Sequence, residues 1–125
     1  MTLDLICMAA VIYFEARSEP VDAQAAVAGV VLERVESSRY PDTICEVALQ
    51  RKQFSAFNKS VPTIRNADAW NTSLLVAQAV LDDPDGVVPI QGATHYHADY
   101  IRPYWVDSYT YLGKSGTHLF YGPTQ

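Results

Sequence analysis

The stretch Ala25-Ala26-Val27-Ala28-Gly29-Val30-Val31-Leu32 contains no charged and no large polar side chain. It lies inside a longer helical pattern, about Val21 to Glu36, that opens after Pro20 and closes at Ser37-Ser38. A helix that is apolar nearly all round must be covered on every side. This segment is therefore a buried central helix, and its small residues let neighbouring elements come close. The remaining chain has to supply the cover. With 125 residues and 49% hydrophobic content, it suits one domain, 1-125, with a proper core.

The first cover is the run from Leu5 to Arg17, which reads as a helix capped by Thr2 with Asp4 in its first turn. At 100° per residue, Met8, Val11, Ile12 and Glu15 share one side. An apolar surround and the negative end of a helix dipole both disfavour an ionised carboxylate. A carboxyl that holds its proton near neutral pH is what a general acid needs, so Glu15 is the candidate acid. The plainer alternatives are an ion pair with Arg17, Arg34 or Arg102, or a solvated side chain at a frayed helix end. Glu19 competes for the role of acid, but it lies outside the helix, just before Pro20, and a helix-start or salt-bridge role suits it better.

Further on, Tyr40-Pro41-Asp42-Thr43 reads as a turn in which Asp42 caps a short helix through Leu49. Gln53 to Phe57 reads as a loop or short extended piece, and Asn58 to Asn66, with Pro62, as a surface loop. Asn66 or Asp68 opens a fourth helix, Ala69 to Leu81, with Trp70, Leu74, Ala77 and Leu81 on one side; Asp82 to Gly86 stops it. Thr94 to His97 and Thr117 to Tyr121 read as short strands, with a Gly113–Gly116 turn between them. Helices first and a small β-element last make an α+β domain.

Charge and cysteine content exclude several classes. The net charge is −5, and no basic stripe is available to follow a phosphate backbone, so nucleic acid is not expected as a partner. No apolar run reaches membrane-spanning length, and the start of the chain lacks a basic segment. The expectation is synthesis in the cytoplasm without a recognisable signal peptide, and no membrane insertion. Cys7 and Cys45 have no metal-ligand spacing and do not make a disulfide scaffold; free thiols are expected, with a single bridge as the alternative. His95, His97 and His118 would suit a zinc-dependent amidase or peptidase, but no His-Glu-x-x-His stretch accompanies them. No metal and no cofactor are expected.

Six pieces in order carry a resemblance. They are Ala10-Val11-Ile12-Tyr13-Phe14-Glu15-Ala16-Arg17-Ser18-Glu19-Pro20; Gln24-Ala25-Ala26-Val27-Ala28 with Val30-Val31-Leu32; Arg39-Tyr40-Pro41-Asp42-Thr43-Ile44-Cys45; Gln53-Phe54-Ser55; Ala93-Thr94-His95-Tyr96-His97-Ala98 with Pro103-Tyr104-Trp105; and Gly116-Thr117-His118-Leu119-Phe120-Tyr121. Together they resemble the SleB/CwlJ-type cell-wall hydrolases, known from spore-cortex lysis and found also in proteobacteria and phages. The position of Cys7 is most similar to the proteobacterial branch. The resemblance implies a lysozyme-like, lytic-transglycosylase-like domain that cuts the glycan strands of peptidoglycan, with the family's acidic catalyst on Glu15. Three features depart from the family pattern: Ser18 stands where Gly is usual, Glu33 stands where Asn is usual, and the Gln53-Phe54-Ser55 piece lacks the cysteine that often precedes it in the proteobacterial branch, which speaks against a disulfide.

Substrate contacts are expected from Gln53 and Ser55 to N-acetyl or hydroxyl groups, from Phe54 against a sugar face, and from Tyr96, His97, Trp105, His118 and Tyr121 around the groove. Each has a plainer role: Phe54 in the core, Ser55 as a cap, His118 as a hydrogen-bonded structural histidine, Trp105 in packing. His95 and His97 alternate with Tyr96, so one set faces the substrate and the other does not.

Cleaving a glycosidic bond by hydrolysis usually takes a second carboxylate. Asp22, Asp42, Asp99 and Asp107 are available, and none stands out by context. A lytic transglycosylase avoids the requirement, because the C6 hydroxyl of muramic acid attacks and one Glu serves as acid and then base. The expected activity is therefore cleavage between N-acetylmuramic acid and N-acetylglucosamine by a lytic transglycosylase of phage-endolysin type. A hydrolytic muramidase, the zinc amidase and a non-catalytic peptidoglycan-binding module are the alternatives. The expected partners are peptidoglycan glycan strands and a holin-type membrane protein that releases the enzyme, which acts as a monomer.

Overall fold

The computed structural model describes residues 1–50 and 63–124. Among these described residues, five α-helices precede a three-stranded antiparallel sheet: α1 Leu3–Ala16, α2 Val21–Glu36, α3 Ile44–Leu49, α4 Ala67–Asp82, α5 Pro84–Val87, then β1 His95–Ala98, β2 Tyr109–Ser115 and β3 His118–Pro123. The sheet order is β1-β3-β2. This is the expected α+β arrangement of helices first and strands last.

The expected central helix spans Val21–Glu36, with an unbroken buried run from Ala23 to Val31. Val27, Val30 and Val31 are wholly buried, and so are Met8, Val11 and Ile12 of α1, Val47 of α3, Ala77 and Val80 of α4, and Phe120 of β3. Each large side chain among these contributes roughly 1.5–3 kcal/mol on burial. Gly29 lets α2 approach the segment after α5, where a Cβ would run into the Val88 side chain.

Local signals explain the helix starts. Thr2 Oγ1 accepts from Leu5 N at 3.2 Å, as expected. The α3 cap is Thr43 rather than the expected Asp42: its Oγ1 accepts from Glu46 N at 3.2 Å and donates to Glu46 Oε1 at 2.8 Å. A Thr with a Glu three residues on satisfies two groups at once, which Asp42 has no partner to do. Asn66 caps α4 through Ala69 N at 2.9 Å, so this helix begins two residues before the expected Ala69. Its buried stripe is Ser73, Val76, Ala77 and Val80, flanked by partly buried Trp70, Leu74 and Leu81. Asp82 to Gly86 ends α4 as expected, but Asp83 then caps the short α5 with Pro84 in its first turn. Tyr13 joins α1 to the start of α4: its hydroxyl accepts from Arg65 N and Asn66 N, both at 3.1 Å.

Two further expectations are corrected here, and one strand is added. Cys7 and Cys45 are not free thiols; they form a disulfide between α1 and α3, with Cα atoms 5.2 Å apart. The two helices pack side by side, and a partnership 38 residues apart in sequence has no local signature. The Gly113–Gly116 segment is not one turn. Gly113 lies within β2, beside a bulge at Tyr111/Gly113, and the reversal is confined to Gly116-Thr117. Gly116 takes φ +57°, a conformation that favours glycine, and a Cβ there would strike the Glu19 carboxylate. Finally, Tyr109–Ser115 is a strand in its own right.

The contact at Gly116 docks the β2–β3 turn onto the α1–α2 corner. Glu19 Oε1 accepts from Thr117 N at 2.7 Å and from Thr117 Oγ1 at 2.9 Å, and lies 3.5 Å from His118 Nδ1. The side chains of Glu19 and His118 are each only 12% exposed. Glu19 therefore joins the corner to the turn through Thr117, with the His118 ring beside its carboxylate.

Two outcomes follow from these ties. In the chain-entropy account, a bridge closing a loop of this length contributes about 3–4 kcal/mol. Reduction, or a Cys7→Ala/Cys45→Ala double variant, should lower the guanidinium midpoint accordingly; an unchanged midpoint would show that the bridge contributes nothing. The Thr117 N–H, chiefly, holds the Glu19 carboxyl below its ordinary value of 4.5, aided by the Thr117 hydroxyl and His118 and opposed by burial. A depressed folded pKa stabilises above the unfolded value and is lost as pH falls through the folded one. The melting temperature of Glu19→Gln should lie below that of the parent at pH 7, with the gap closing as pH drops below 4.5. A gap independent of pH would contradict this account.

Candidate active site

The site forms where the last turn of α1 meets the inner face of the sheet. Met8, Val11 and Ile12 lie wholly buried on the side that Glu15 shares, and Glu15 itself is half-buried at the end of that stripe. Across from it, β1 alternates. Tyr96 pairs in register with Phe120, and Ala98 with His118, so Tyr96, Phe120 and His118 share the inner face. The Tyr96 hydroxyl donates to Glu15 Oε1.

The Tyr96 ring is itself held. It lies 5.6 Å from the Phe120 ring and meets His118 edge-on at 5.3 Å and 85°. His118 rests against Glu19, and Glu19 against Thr117. A continuous set of contacts thus runs Glu15–Tyr96–His118–Glu19–Thr117. Two neighbouring α2 residues set the depth of β1. Glu33, at the position departing from the family pattern, accepts from Gly92 N at 3.1 Å, while Arg34 Nε donates to the Thr94 carbonyl at 2.8 Å. Together they fix the segment that leads into Tyr96.

Two of the arginines considered as partners for Glu15 are engaged elsewhere. Arg17 donates to the Tyr13 carbonyl at 3.1 Å and lies over its ring, and Arg102 pairs with Asp107 at 3.0 Å.

The expected substrate residues divide between the two faces of the sheet. Tyr96 and His118 lie with Glu15. His97, Trp105 and Tyr121 lie on the outer face, with His95, Tyr109 and Tyr111. There His97 bonds to the Ala98 carbonyl at 2.7 Å and to the Tyr121 hydroxyl at 3.0 Å, and its ring stacks on Tyr121 at 5.3 Å. Trp105 packs against His95, His97 and Tyr121 at 5.0, 5.7 and 5.4 Å. These three residues therefore do not converge on Glu15. Gln53, Phe54 and Ser55 lie outside the described residues.

The same division bears on the histidines. His95 and His97 are on the face opposite His118, so the three cannot share one ion. Among the described residues, no three His, Cys, Asp or Glu side chains are grouped to hold a metal. As for a second carboxylate, Asp99 pairs with Lys114 at 3.3 Å and Asp107 with Arg102, both at the surface. Asp22 lies in the first turn of α2, and exposed Asp42 precedes α3. Glu19 is linked to Glu15 by the contacts above; its place before Pro20 marks it in the sequence, but not its partner, because Thr117 is 98 positions away. A separate cleft of about 400 Å³ opens between α2 and α5, lined by residues including Leu32, Glu33, Leu81, Pro84, Asp85 and Val88. It shares no residue with the Glu15 set.

Comparison with known proteins places the chain in a family. The chain is 34% identical to the spore cortex-lytic enzyme of Halalkalibacterium halodurans over 119 residues, covering 94% of this chain and 34% of that protein. It is 31% identical to the spore cortex-lytic enzyme of Oceanobacillus iheyensis over 119 residues, covering 94% of this chain and 41% of that one. The chain thus spans less than half the length of these curated relatives. Among solved structures, the catalytic domain of the germination-specific lytic transglycosylase SleB from Bacillus anthracis superposes with a TM-score of 0.73 at 29% identity, covering 97% of this chain and 96% of that one. The catalytic domain of the Bacillus cereus SleB protein gives a TM-score of 0.66 at 29% identity, covering 94% and 88%. The fold is therefore that of the SleB catalytic domains, an α+β lysozyme-like domain. The model of the cell wall hydrolase family matches residues 18–121, and the chain belongs to that family.

Proposed function

We propose that residues 1–125 act as one catalytic domain that cuts the glycan strands of peptidoglycan between N-acetylmuramic acid and N-acetylglucosamine, with Glu15 as its acid and base. The observation that carries this reading is the half-buried Glu15 carboxyl at the end of α1, oriented by the Tyr96 hydroxyl from β1. Proton transfer needs the carboxyl aimed at the scissile oxygen, and a fixed hydrogen-bond partner supplies that aim. The SleB catalytic domain from Bacillus anthracis, a lytic transglycosylase by its description, supports the same chemistry.

The reaction balances with one carboxyl. Glu15 gives its proton to the glycosidic oxygen, and the bond from muramic C1 to that oxygen breaks. The muramic C6 hydroxyl then closes on C1 and returns its proton to Glu15. The products are a free N-acetylglucosamine 4-hydroxyl and a 1,6-anhydromuramic end, and no water is consumed. Glu19 is a poor base for activating water, because its Oε1 already accepts two hydrogen bonds from Thr117 and faces His118.

The disulfide bears on where the enzyme works. Such bonds persist in oxidising compartments, and the wall lies outside the reducing cytosol. A phage endolysin passed across the membrane by a holin-type protein and a secreted bacterial enzyme both meet this condition.

Glu15→Gln keeps the shape of the side chain and cannot deliver a proton. Lysis of purified sacculi should fall about a hundredfold or more, with circular dichroism unchanged; retained lysis would move the role to another acid. Mass spectrometry of a sacculus digest should find muropeptides ending in 1,6-anhydromuramic acid, one water lighter than hydrolytic products and inert to borohydride. Reducible muramic ends would assign the enzyme to the muramidases. Free stem peptides with intact glycan would overturn the glycosidase reading.

A further inference from the structure

The segment from Asp99 to Trp105 leaves the end of β1 beside the site and is held at both ends. At its start, Asp99 N donates to the Thr117 carbonyl at 2.8 Å, Ile101 N to the Ala98 carbonyl at 3.1 Å, and the Asp99 carboxylate pairs with Lys114. At its end, Trp105 is packed into the aromatic cluster on the outer face of the sheet. Between these anchors the chain turns its apolar groups outward. Tyr100 is 83% exposed, Ile101 49% and Tyr104 98%. Neither tyrosine ring meets another ring, and neither hydroxyl has a hydrogen-bond partner, among the described residues. Single exposed apolar side chains are ordinary, whereas two unpartnered tyrosines and an isoleucine on one anchored loop are a presented surface.

Its position and charge say what it presents to. Thr117, which anchors the loop, also binds Glu19, so the start of the loop stands on the Glu19 side of the Glu15–Tyr96 pair. Tyr100 is four residues beyond Tyr96, which limits their Cα separation to about 13 Å. A span of that length covers a few sugar rings, counted from the strand whose Tyr96 meets Glu15. The charges on the loop are cancelled, Arg102 by Asp107 and Asp99 by Lys114. An anionic polymer or an anionic membrane finds no free cation on it. A flat, neutral ring with a hydroxyl at its rim matches a pyranose, which has an apolar C–H face bordered by hydroxyls. Tyrosine also loses little rotamer freedom when it binds.

From this geometry we infer that Tyr100 and Tyr104 form a stacking subsite that grips the uncharged glycan strand a few sugars away from Glu15, on the Glu19 side. The inference rests on the peptidoglycan reading of the site, and its test reads binding rather than cleavage. In the Glu15→Gln background, which leaves the substrate uncut, Tyr100→Ala/Tyr104→Ala should weaken co-sedimentation with purified sacculi about tenfold. Tyr100→Phe/Tyr104→Phe should restore most of it, because the rings remain. Leu75→Ala, which removes a side chain 73% exposed on α4, should leave it unchanged. A soluble N-acetylglucosamine hexamer should displace the Glu15→Gln protein from sacculi and displace the double alanine variant less well. Undiminished binding by the double alanine variant, an equal loss in Leu75→Ala, or displacement by free stem peptide instead of the hexamer would each overturn the subsite. So would ring-dependent binding to phosphatidylglycerol vesicles in place of sacculi. If the parent enzyme releases stem peptides from intact glycan, the reading of Glu15 fails, and the binding measurements still decide the subsite.

Discussion

The burial of α2 on all sides is the constraint on which the rest of the molecule depends. No single partner can cover a helix whose residues from Ala23 to Val31 are all buried. Helices α1, α3 and α4 and the inner face of the sheet all contribute to one core with it. This arrangement brings the end of α1 against the sheet. Glu15 sits at the point where the buried stripe of α1 runs out, and Tyr96 sits on the strand that closes the core beside it. The site is thus a seam between the helical and the β portions, and neither portion contains it alone.

That seam is secured by contacts that are weak locally and long-range in sequence. Glu33 and Arg34 reach from α2 to the segment ahead of β1, and Glu19 reaches from the α1–α2 corner to the β2–β3 turn. Both draw the sheet toward the helices, on either side of Tyr96. A neutral side chain at position 33 would lose a charge-assisted bond to the Gly92 N–H. The acid at this position therefore has a structural use here, independent of any part in chemistry. The disulfide does comparable work on the opposite flank, fixing α1 to α3 near the beginning of the helix that ends in Glu15.

Much of this was legible in the sequence, and the limits have physical causes. Helix α2 could be read to its last residue because its signals are local: a Pro before it, a continuous apolar run, and a polar close at Ser37. The placement of Glu15 could be read because helical periodicity carries a side chain to a known face. What escaped depends on tertiary contact. The pairing of Cys7 with Cys45, the Glu19–Thr117 docking and the choice of sheet face for His97 all join segments that no short pattern connects. Strand β2 escaped for a different reason. Both its faces are partly exposed, with Tyr111 at 54% and Leu112 at 41%, and Gly113 interrupts the alternation that marks a strand. Sequence pattern correctly split His95 and His97 from Tyr96, since strand alternation is a local rule; which set faced the acid depended on the register with Phe120.

The residue that fits its surroundings least well in the sequence is the one for which the chemistry is proposed. A carboxyl at the end of an apolar stripe, in the last turn of a helix, contradicts both the hydrophobic pattern and the dipole. Consistent chains break such rules at few places, and a break that is supported by added contacts points to function. The support here is specific. Tyr96 donates to Glu15, while Phe120 and His118 hold the Tyr96 ring and Glu19 and Thr117 hold His118. Packing alone would be served as well by a leucine at position 15 and a phenylalanine at 96. In the proposed reaction a proton leaves the carboxyl and comes back, and the hydroxyl would keep the carboxyl aimed in both steps, which packing alone does not require.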